Sequence, residues 1–230
     1  MQLRKRCLGV AAAAMMVVST LLPGIVQAQQ KAAEAPKAPE QIALPAPNLG
    51  TPGSLEDALA KRRSVREFAS KPLTQQQIGQ LFWAAQGITH DQFKRAAPSA
   101  GAVYPMEIYA VTAQGFFHYL PKGHAMVRLS DRDLHQVVFK ASNQQDMLQA
   151  PVIFVITGSK ERMMKKYPAK AELYMAIEAG HIAENVLLEA TAMGLAAVPA
   201  GGFVAAELQQ GLSLPADEMA IYVIPVGYAK

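Results

Sequence analysis

The sequence predicts an α+β domain in which a mixed or antiparallel sheet is flanked by helices. Two patterns support this fold class: helical and strand segments are interleaved along the chain, and three consecutive strand segments are joined by glycine-containing turns at residues 114–115 and 122–123. Such turns make hairpins, which favour antiparallel pairing over a doubly wound parallel sheet. With 230 residues, of which 51% are hydrophobic, the chain can bury one sizeable core.

The first 28 residues have the three parts of a secretory signal peptide. Basic residues at 4–6 precede a predominantly apolar run over 8–22, and residues 26–28 provide a small-x-Ala cleavage site. The run is shorter than the roughly 20 apolar residues that a membrane span requires. We therefore expect cleavage after Ala28, an exported, periplasmic protein, and no membrane span in the mature chain. The basic segment has no twin-arginine pair, and the choice between the Sec and twin-arginine routes stays open.

Loss of the signal peptide removes the only cysteine, Cys7, and three of the 22 Lys and Arg residues. The mature chain then has 19 basic residues against 18 Asp and Glu, a balance that gives no support to a nucleic-acid partner. It can form no disulfide, and its five histidines have no ligand spacing, so no metal site is expected. Dinucleotide-binding, Walker and nucleophile-elbow motifs are absent as well. Any redox chemistry therefore requires an organic cofactor.

Residues 29–53 are rich in Ala, Pro, Lys and Gln, with prolines at 36, 39, 45, 47 and 52. Repeated proline removes backbone donors from helices and sheets, which predicts an extended arm or linker. A functional arm and a leader without a role are both open interpretations. The compact domain is predicted to cover residues 54–230.

The domain is predicted to begin with two helices. Caps at Ser54 and Thr74 begin apolar stripes of helical spacing over residues 55–62 and 75–86. Residues 88–105 lack periodicity and predict a loop.

Strand-forming runs follow, and then helices and strands alternate. The runs at 108–112, 116–120 and 125–129 predict a meander, because short turns connect them. Ser130 with Asp133 is expected to open a helix. The remaining elements are a continuous apolar strand at 152–157, a central helix at 171–193 ended by Gly194, a short helix at 206–212 and a final strand at 220–226.

The basic run Arg62-Arg63-Ser64-Val65-Arg66, at the end of the first helix, is the first candidate binding feature. Guanidinium groups offer paired planar donors and a serine hydroxyl adds another, a set suited to a phosphate monoester. A solvated helix end that complements the helix dipole has the same composition, and that alternative stays open.

Two stretches of small residues provide the other candidate features. Residues 97–105, Ala-Pro-Ser-Ala-Gly-Ala-Val-Tyr-Pro, let a flat ring approach the backbone and add the Ser99 hydroxyl. Residues 197–203, Ala-Val-Pro-Ala-Gly-Gly-Phe, directly follow the long helix, and their glycines leave backbone amides unshielded. Alone, each stretch would be an ordinary turn.

In this order, the three runs resemble the FMN-dependent nitroreductase family. In particular, the chain is similar to the branch that includes the thiazole- and oxazole-forming dehydrogenases of ribosomal peptide maturation. The resemblance covers residues 54–230, including the segment 177–185 on the long helix. It implies an α+β fold that dimerises extensively, with FMN as cofactor and two FMN molecules at the interface of a homodimer.

The resemblance also implies roles for individual residues. Those that match contacts to the FMN phosphate and ribityl chain are Arg62, Arg63, Ser64 and Arg66. Those that match one side of the isoalloxazine ring are Pro98, Ser99, Ala100 and Ala102, with Tyr104 nearby. Those that match the other side are Pro199, Ala200, Gly201 and Gly202, with the Gly201 amide donating to flavin N5. Asn143 or Gln144 matches a flavin-contacting amide.

Two positions depart from the family pattern. Many nitroreductases have a lysine near the flavin pyrimidine where this chain has Asp146, so a cation that stabilises the reduced flavin is in doubt there. Basic residues in the family's C-terminal tail often reach the phosphate, and only Lys230 can take that role here.

Lys166-Tyr167, just before the long helix, matches a pair that azoline-oxidising relatives use as acid and base. A solvated lysine beside a half-buried tyrosine is the alternative.

The resulting expectation is an exported FMN-dependent oxidoreductase that transfers hydride at flavin N5 in a ping-pong cycle on a small-molecule substrate. Its electron donor is open, because nicotinamide nucleotides are mainly cytoplasmic. The alternative functions are an azoline-type peptide dehydrogenase and a non-catalytic flavin-binding protein.

Overall fold

A computed structural model describes residues 40–48 and 53–230, all of which belong to one compact unit. The predicted signal peptide, 1–28, and the predicted linker up to residue 39 lie outside the described residues. Within the described ranges, no helix is both long and apolar enough to cross a membrane.

The described residues form helices and strands that alternate along most of the chain. The helices are α1 (Leu55–Lys61), α2 (Gln75–Gln86), α3 (His135–Ser142), α4 (Asp146–Gln149), α5 (Lys160–Met164), α6 (Ala171–Ala192) and α7 (Ala205–Leu212). The strands are β1 (Gln41–Ala43), β2 (Ile88–His90), β3 (Lys94–Arg95), β4 (Met106–Thr112), β5 (Gly115–Leu120), β6 (Ala125–Ser130), β7 (Val152–Ser159), β8 (Ala196–Ala197) and β9 (Glu218–Gly227). A 3-10 turn at Ala100–Ala102 lies between β3 and β4.

Seven strands form one sheet in the order β1-β6-β5-β4-β7-β9-β8, and its strand pairs are antiparallel. β4, β5 and β6 lie side by side, which confirms the predicted meander. β2 and β3 pair separately as a two-stranded sheet. The fold is therefore α+β with an antiparallel sheet and flanking helices, as the glycine-containing turns predicted.

The sheet is covered on both faces, as the interior strand β7 illustrates. Every residue of β7 is buried. Phe154 and Ile156 pack with α2 and α6 on one face, whereas Ile153 and Val155 pack with α3 and α7 on the other. Because successive side chains of a strand point to opposite faces, a strand covered on both faces is expected to have a nearly continuous apolar run. The continuous apolar run at 152–157 predicted this strand correctly.

An aromatic cluster joins α2 to the sheet. The ring of Phe82 stacks on Tyr119 of β5 with 4.8 Å between centroids, and it meets Phe154 of β7 edge to face at 5.1 Å. Both are arrangements that aromatic pairs prefer. Phe82 is completely buried and links α2 to two strands of the sheet.

The predicted caps and helix ends are confirmed where local hydrogen bonds define them. The Ser54 hydroxyl accepts from the Asp57 amide at 3.1 Å. Thr74 and Gln77 form the reciprocal capping box, with bonds of 2.9 and 3.2 Å. Gly194 follows α6 with a φ of +69°, a left-handed conformation that favours glycine.

Two predicted boundaries differ from the structure. Ser130 is the last residue of β6 and pairs with Phe116, so the next helix begins only at His135, whose amide donates to Asp133 Oδ1 at 2.9 Å. Strand pairing thus competes with the cap that the sequence suggested. The predicted loop 88–105 also contains the β2–β3 hairpin and the 3-10 turn, elements too short to give a periodic pattern.

β1 falls within the predicted linker 29–53. It pairs with residues 125–127 of β6 at the edge of the sheet, and the Gln75 side chain of α2 donates to its last carbonyl at 3.0 Å. The expectation that prolines exclude sheet hydrogen bonds is wrong for this strand. Its three residues lie between the prolines at 39 and 45 and contain none themselves.

Replacement of Phe82 by Ala should lower the free energy of unfolding by about 3–5 kcal/mol, because the change leaves a cavity between α2 and the sheet. Urea denaturation of the mature chain measures this loss. Phe93→Ala is the matched control, since that ring is 53% exposed, and its effect should stay within about 0.5 kcal/mol. Equal effects of the two substitutions would contradict the assigned core.

Candidate functional site

The basic run begins where α1 ends. Arg62 caps the helix, and the Arg63 guanidinium donates to the carbonyls of Ala60 and Arg62 at 3.0 and 2.6 Å. Arg63 therefore satisfies carbonyls at the end of α1, in agreement with the helix-end alternative for the basic run. Ser64 and Arg66 are exposed, so their donors are accessible to a ligand.

Backbone contacts bring the basic run beside the start of the glycine turn and the end of the chain. The Val65 amide donates to the Ala197 carbonyl at 3.2 Å. The Lys230 amide donates to the Glu67 carbonyl, also at 3.2 Å. Three segments that are distant in the sequence thus meet at one place, and Lys230 lies next to the basic run.

The turn at 199–202 is fixed at its base and open at its tip. Ala200 exchanges two backbone hydrogen bonds with Val223 of β9, at 2.8 and 3.0 Å. Gly201 and Gly202 are exposed, and the Gln144 side chain donates to the Gly202 carbonyl at 2.9 Å. Pro199 precedes this base and is half-buried. The backbone at the tip can therefore be approached closely by a flat ligand.

Of the two candidate amides, Gln144 is the one that contacts the turn. Asn143 ends α3 with a left-handed φ of +54°, a conformation that asparagine tolerates, and its side chain is exposed. Asp146, where the family pattern suggested a lysine, is buried at the start of α4. Its Oδ2 accepts no hydrogen bond from the part of the chain that the structure describes.

The loop 98–104 has a strained backbone held by side chains. Gly101, Ala102 and Tyr104 have φ values of +59°, +52° and +49°. Such values are uncommon for residues other than glycine, and strain of this kind concentrates at functional sites. The Ser99 hydroxyl accepts from the Tyr104 amide at 2.9 Å, and Arg162 of α5 donates to the Tyr104 carbonyl at 2.9 Å.

Lys166 and Tyr167 lie against this loop. The Lys166 ammonium donates to the Gly101 carbonyl at 2.9 Å. A Cβ at Gly101 would come within 2.5 Å of both Lys166 Nζ and the Tyr167 hydroxyl, so a larger residue does not fit without a shift. The ammonium is exposed and Tyr167 is half-buried, so the pair lies at the surface beside the loop.

The predicted residues are thus gathered into two groups. We call the basic run, Gln144, the turn 199–202 and Lys230 the phosphate-side group, and the loop 98–104 with Lys166 and Tyr167 the ring-side group. Ala200 packs in the apolar cluster of α3 and α7, whereas Ala100 packs against the cluster of α6 on the other face of the sheet. Across residues 40–48 and 53–230, no hydrogen bond joins the two groups.

A buried polar network behind the ring-side group contains the residues that sequence reasoning missed. Arg95 donates its backbone amide to the Tyr104 hydroxyl at 3.2 Å and its guanidinium to Gln86 at 3.3 Å. Gln86 in turn donates to Glu178 of α6 at 3.4 Å. Arg162 pairs with Glu107 at 2.8 Å. Nothing in the sequence distinguished Glu178 from the other three glutamates of α6.

The remaining acidic and histidine side chains suggest no metal centre. In the described part of the chain, no group of three or more His, Cys, Asp or Glu residues is placed to hold a metal ion. His118 instead bonds to Glu107 at 2.9 Å, and His124 bonds to the Pro45 carbonyl at 3.0 Å.

Comparisons with known proteins show which family this chain resembles. The Nitroreductase family matches residues 59–228. A protein of Methanocaldococcus jannaschii named as a nitroreductase is 37% identical over 180 residues, which cover 75% of this chain and 90% of that protein. The family match spans the basic run, the loop 98–104 and the turn 199–202.

Solved structures have the same fold. A protein of Ralstonia eutropha described as a nitroreductase is 30% identical, with a TM-score of 0.76 over 83% of this chain and 90% of that one. The Escherichia coli microcin synthetase complex, solved with truncated pro-MccB17 bound, contains a chain that is 20% identical, with a TM-score of 0.64 over 71% of this chain and 67% of that one. At that identity the second likeness concerns the fold alone.

The family match over most of the chain, the 37% identical relative and the shared α+β fold lead to one conclusion. This chain belongs to the nitroreductase family of oxidoreductases.

Proposed function

We propose that this chain is an exported FMN-dependent oxidoreductase that transfers hydride at flavin N5, in a ping-pong cycle, to or from a small organic molecule. The observation that carries the proposal is the meeting of the basic run, the glycine turn and Gln144 at one place in a nitroreductase-family fold. When bound, the flavin supplies the hydride chemistry, and the chain binds, orients and shields it.

The donors of the phosphate-side group suit an FMN phosphate. Ser64 and Arg66 are exposed and directly follow Arg62 and Arg63 in the sequence, and Lys230 adds a further cation. Charge-assisted bonds from such donors are among the stronger ones in proteins. The Gly201 and Gly202 backbone is exposed and carries no side chain that would keep a flat ring away.

A second copy of the chain would complete the pocket. Ala200 of the turn and Ala100 of the loop pack on opposite faces of the sheet. A ring contacted by both segments therefore requires the ring-side group of a partner. α6 carries exposed apolar side chains suited to such an interface, with Leu173 57% and Ile177 47% exposed. Residues four apart lie on the same side of a helix, so these two form one apolar patch. We therefore propose a homodimer.

The electron donor follows from the proposed export. The signal-like segment 1–28 supports a periplasmic location, reached by the Sec or the twin-arginine route. Nicotinamide nucleotides are scarce outside the cytoplasm, so a quinol, a membrane electron carrier or the organic substrate itself is the proposed donor.

A second candidate function is an azoline-type peptide dehydrogenase. It is favoured by the contact of Lys166 and Tyr167 with the ring-side loop, since a base beside the ring could remove a substrate proton while hydride departs. The fold shared with the microcin synthetase chain is compatible with it. A flavin-binding protein without turnover would have the same contacts. Only an assay of catalytic turnover distinguishes it from the two enzymes.

Arg62→Ala should weaken FMN binding by roughly 1.5–3 kcal/mol, the value of one charge-assisted hydrogen bond to a phosphate. Fluorescence titration of the mature protein with FMN gives the dissociation constant. Arg132→Ala, which removes an exposed arginine elsewhere on the chain, should leave it unchanged. If wild-type protein saturated with FMN is colourless after desalting, the cofactor assignment is wrong.

Leu173→Lys should convert the mature protein from a dimer to a monomer, because it places a charge in the proposed apolar interface. Light scattering reports the mass, and FMN binding should weaken together with it. Leu129→Lys, at a similarly exposed position on β6, is the matched control and should remain dimeric. A wild-type monomer that holds FMN would contradict the proposed two-chain pocket.

Lys166→Ala and Tyr167→Phe distinguish the two candidate functions. If the pair removes a substrate proton, turnover should fall by about 10²-fold or more with flavin content intact. We expect losses below about tenfold, since an oxidoreductase of small molecules can exchange its protons with water. Stopped-flow kinetics of both half-reactions measures this, and a large loss confined to flavin reduction would favour the dehydrogenase.

A further inference from the structure

Glu178, in the first half of α6, is a buried carboxylate with few hydrogen bonds. It is 1% exposed. Gln86 donates to its Oε1 at 3.4 Å, and its Oε2 has no partner of hydrogen-bond geometry in the described part of the chain. Burying a poorly satisfied carboxylate is costly, and the other three glutamates of α6 are exposed or half-buried. The burial of Glu178 therefore requires an explanation other than packing.

The groups that face Glu178 come from four neighbouring segments. They are the Gln86 amide of α2, the Arg95 guanidinium of β3, the Arg162 guanidinium of α5 and the Ser99 hydroxyl. Burial outweighs these favourable neighbours and raises the pKa of Glu178 to about 7. At neutral pH the carboxyl is therefore divided between its protonated and ionised forms.

Ser99 connects this carboxyl to the ring-side loop. Its hydroxyl accepts from the Tyr104 amide at 2.9 Å, which closes the loop. The same hydroxyl lies beside the carboxyl and favours the charged form of Glu178, although it does not complete a hydrogen bond to Oε2. A serine hydroxyl has a single proton to donate and two lone pairs to accept with.

We propose that Glu178 is a positioning residue whose protonation state decides whether the Ser99 hydroxyl donates inward to the carboxyl or outward to a ring bound against the loop. An ionised Glu178 can only accept, so it draws the Ser99 proton inward. A neutral Glu178 donates its own proton to the second lone pair of Ser99. The Ser99 proton then turns toward an acceptor atom of the ring, and no covalent bond changes.

The inference rests on the proposed function, since the ring concerned is that of FMN. It predicts that FMN binds more tightly when Glu178 is neutral. One additional hydrogen bond to the ring should strengthen binding by about fivefold. The Glu178→Gln variant keeps a donor in place at every pH and therefore imitates the neutral form.

The test is fluorescence titration of the mature chain with FMN between about pH 5.5 and 8.5. Glu178→Gln should bind FMN as the wild type does at the acidic end and about fivefold more tightly at the alkaline end. Glu218→Gln is the matched control, because Glu218 is also buried but is bonded to Tyr109 at 2.9 Å and Thr157 at 2.5 Å. The ratio of its FMN dissociation constant to that of the wild type should not change with pH. Ionisation of the FMN phosphate affects all three proteins equally and cancels in these ratios.

Two results separate the possible failures. If FMN binds normally but the ratio of dissociation constants between Glu178→Gln and the wild type is constant with pH, the proposed role of Glu178 is overturned and the proposed function stands. Absence of FMN binding in all three proteins would overturn the proposed function. If Glu178→Gln does not fold, Ser99→Ala serves instead, since removal of the hydroxyl should abolish the pH-dependent difference between neutral and ionised Glu178.

Discussion

The burial of α6 against one face of the antiparallel sheet is the constraint on which the rest of the molecule depends. Met175, Ile182 and Val186 of this helix are completely buried. Each such side chain contributes about 1.5–3 kcal/mol through removal of apolar surface from water. The helix therefore fixes where the chain enters it, beside the ring-side loop, and where the chain leaves it, toward the glycine turn.

The same packing explains why the candidate pocket is divided. Since α2 and α6 cover one face and α3 and α7 the other, the sheet separates the ring-side loop from the turn 199–202. Each group lies at the surface of the chain, and each offers a different kind of contact. The phosphate-side group provides cations and exposed backbone. The ring-side group provides a strained loop held by Arg162 and Lys166.

Two acidic side chains of the sheet, Glu107 and Glu218, are well satisfied by partners. Glu107 contacts His118 and Arg162, and Glu218 accepts from two hydroxyls. Such pairing reduces the cost of removing a charge from water. Glu178 is satisfied less well, and its excess cost is consistent with a role beside the loop.

The sequence by itself determined the elements that depend on close neighbours along the chain. Caps such as that at Thr74, the helix that ends before Gly194 and the apolar strand β7 follow from spacing and local hydrogen bonds. Small-residue runs and the basic run also identified most of the candidate site. Only the tertiary structure decided that Gln144 rather than Asn143 contacts the turn, that β1 joins the sheet, and that Glu178 lies behind the loop. Gln86 and Glu178 are 92 positions apart, so their contact exists only because packing of α2 against α6 brings them together.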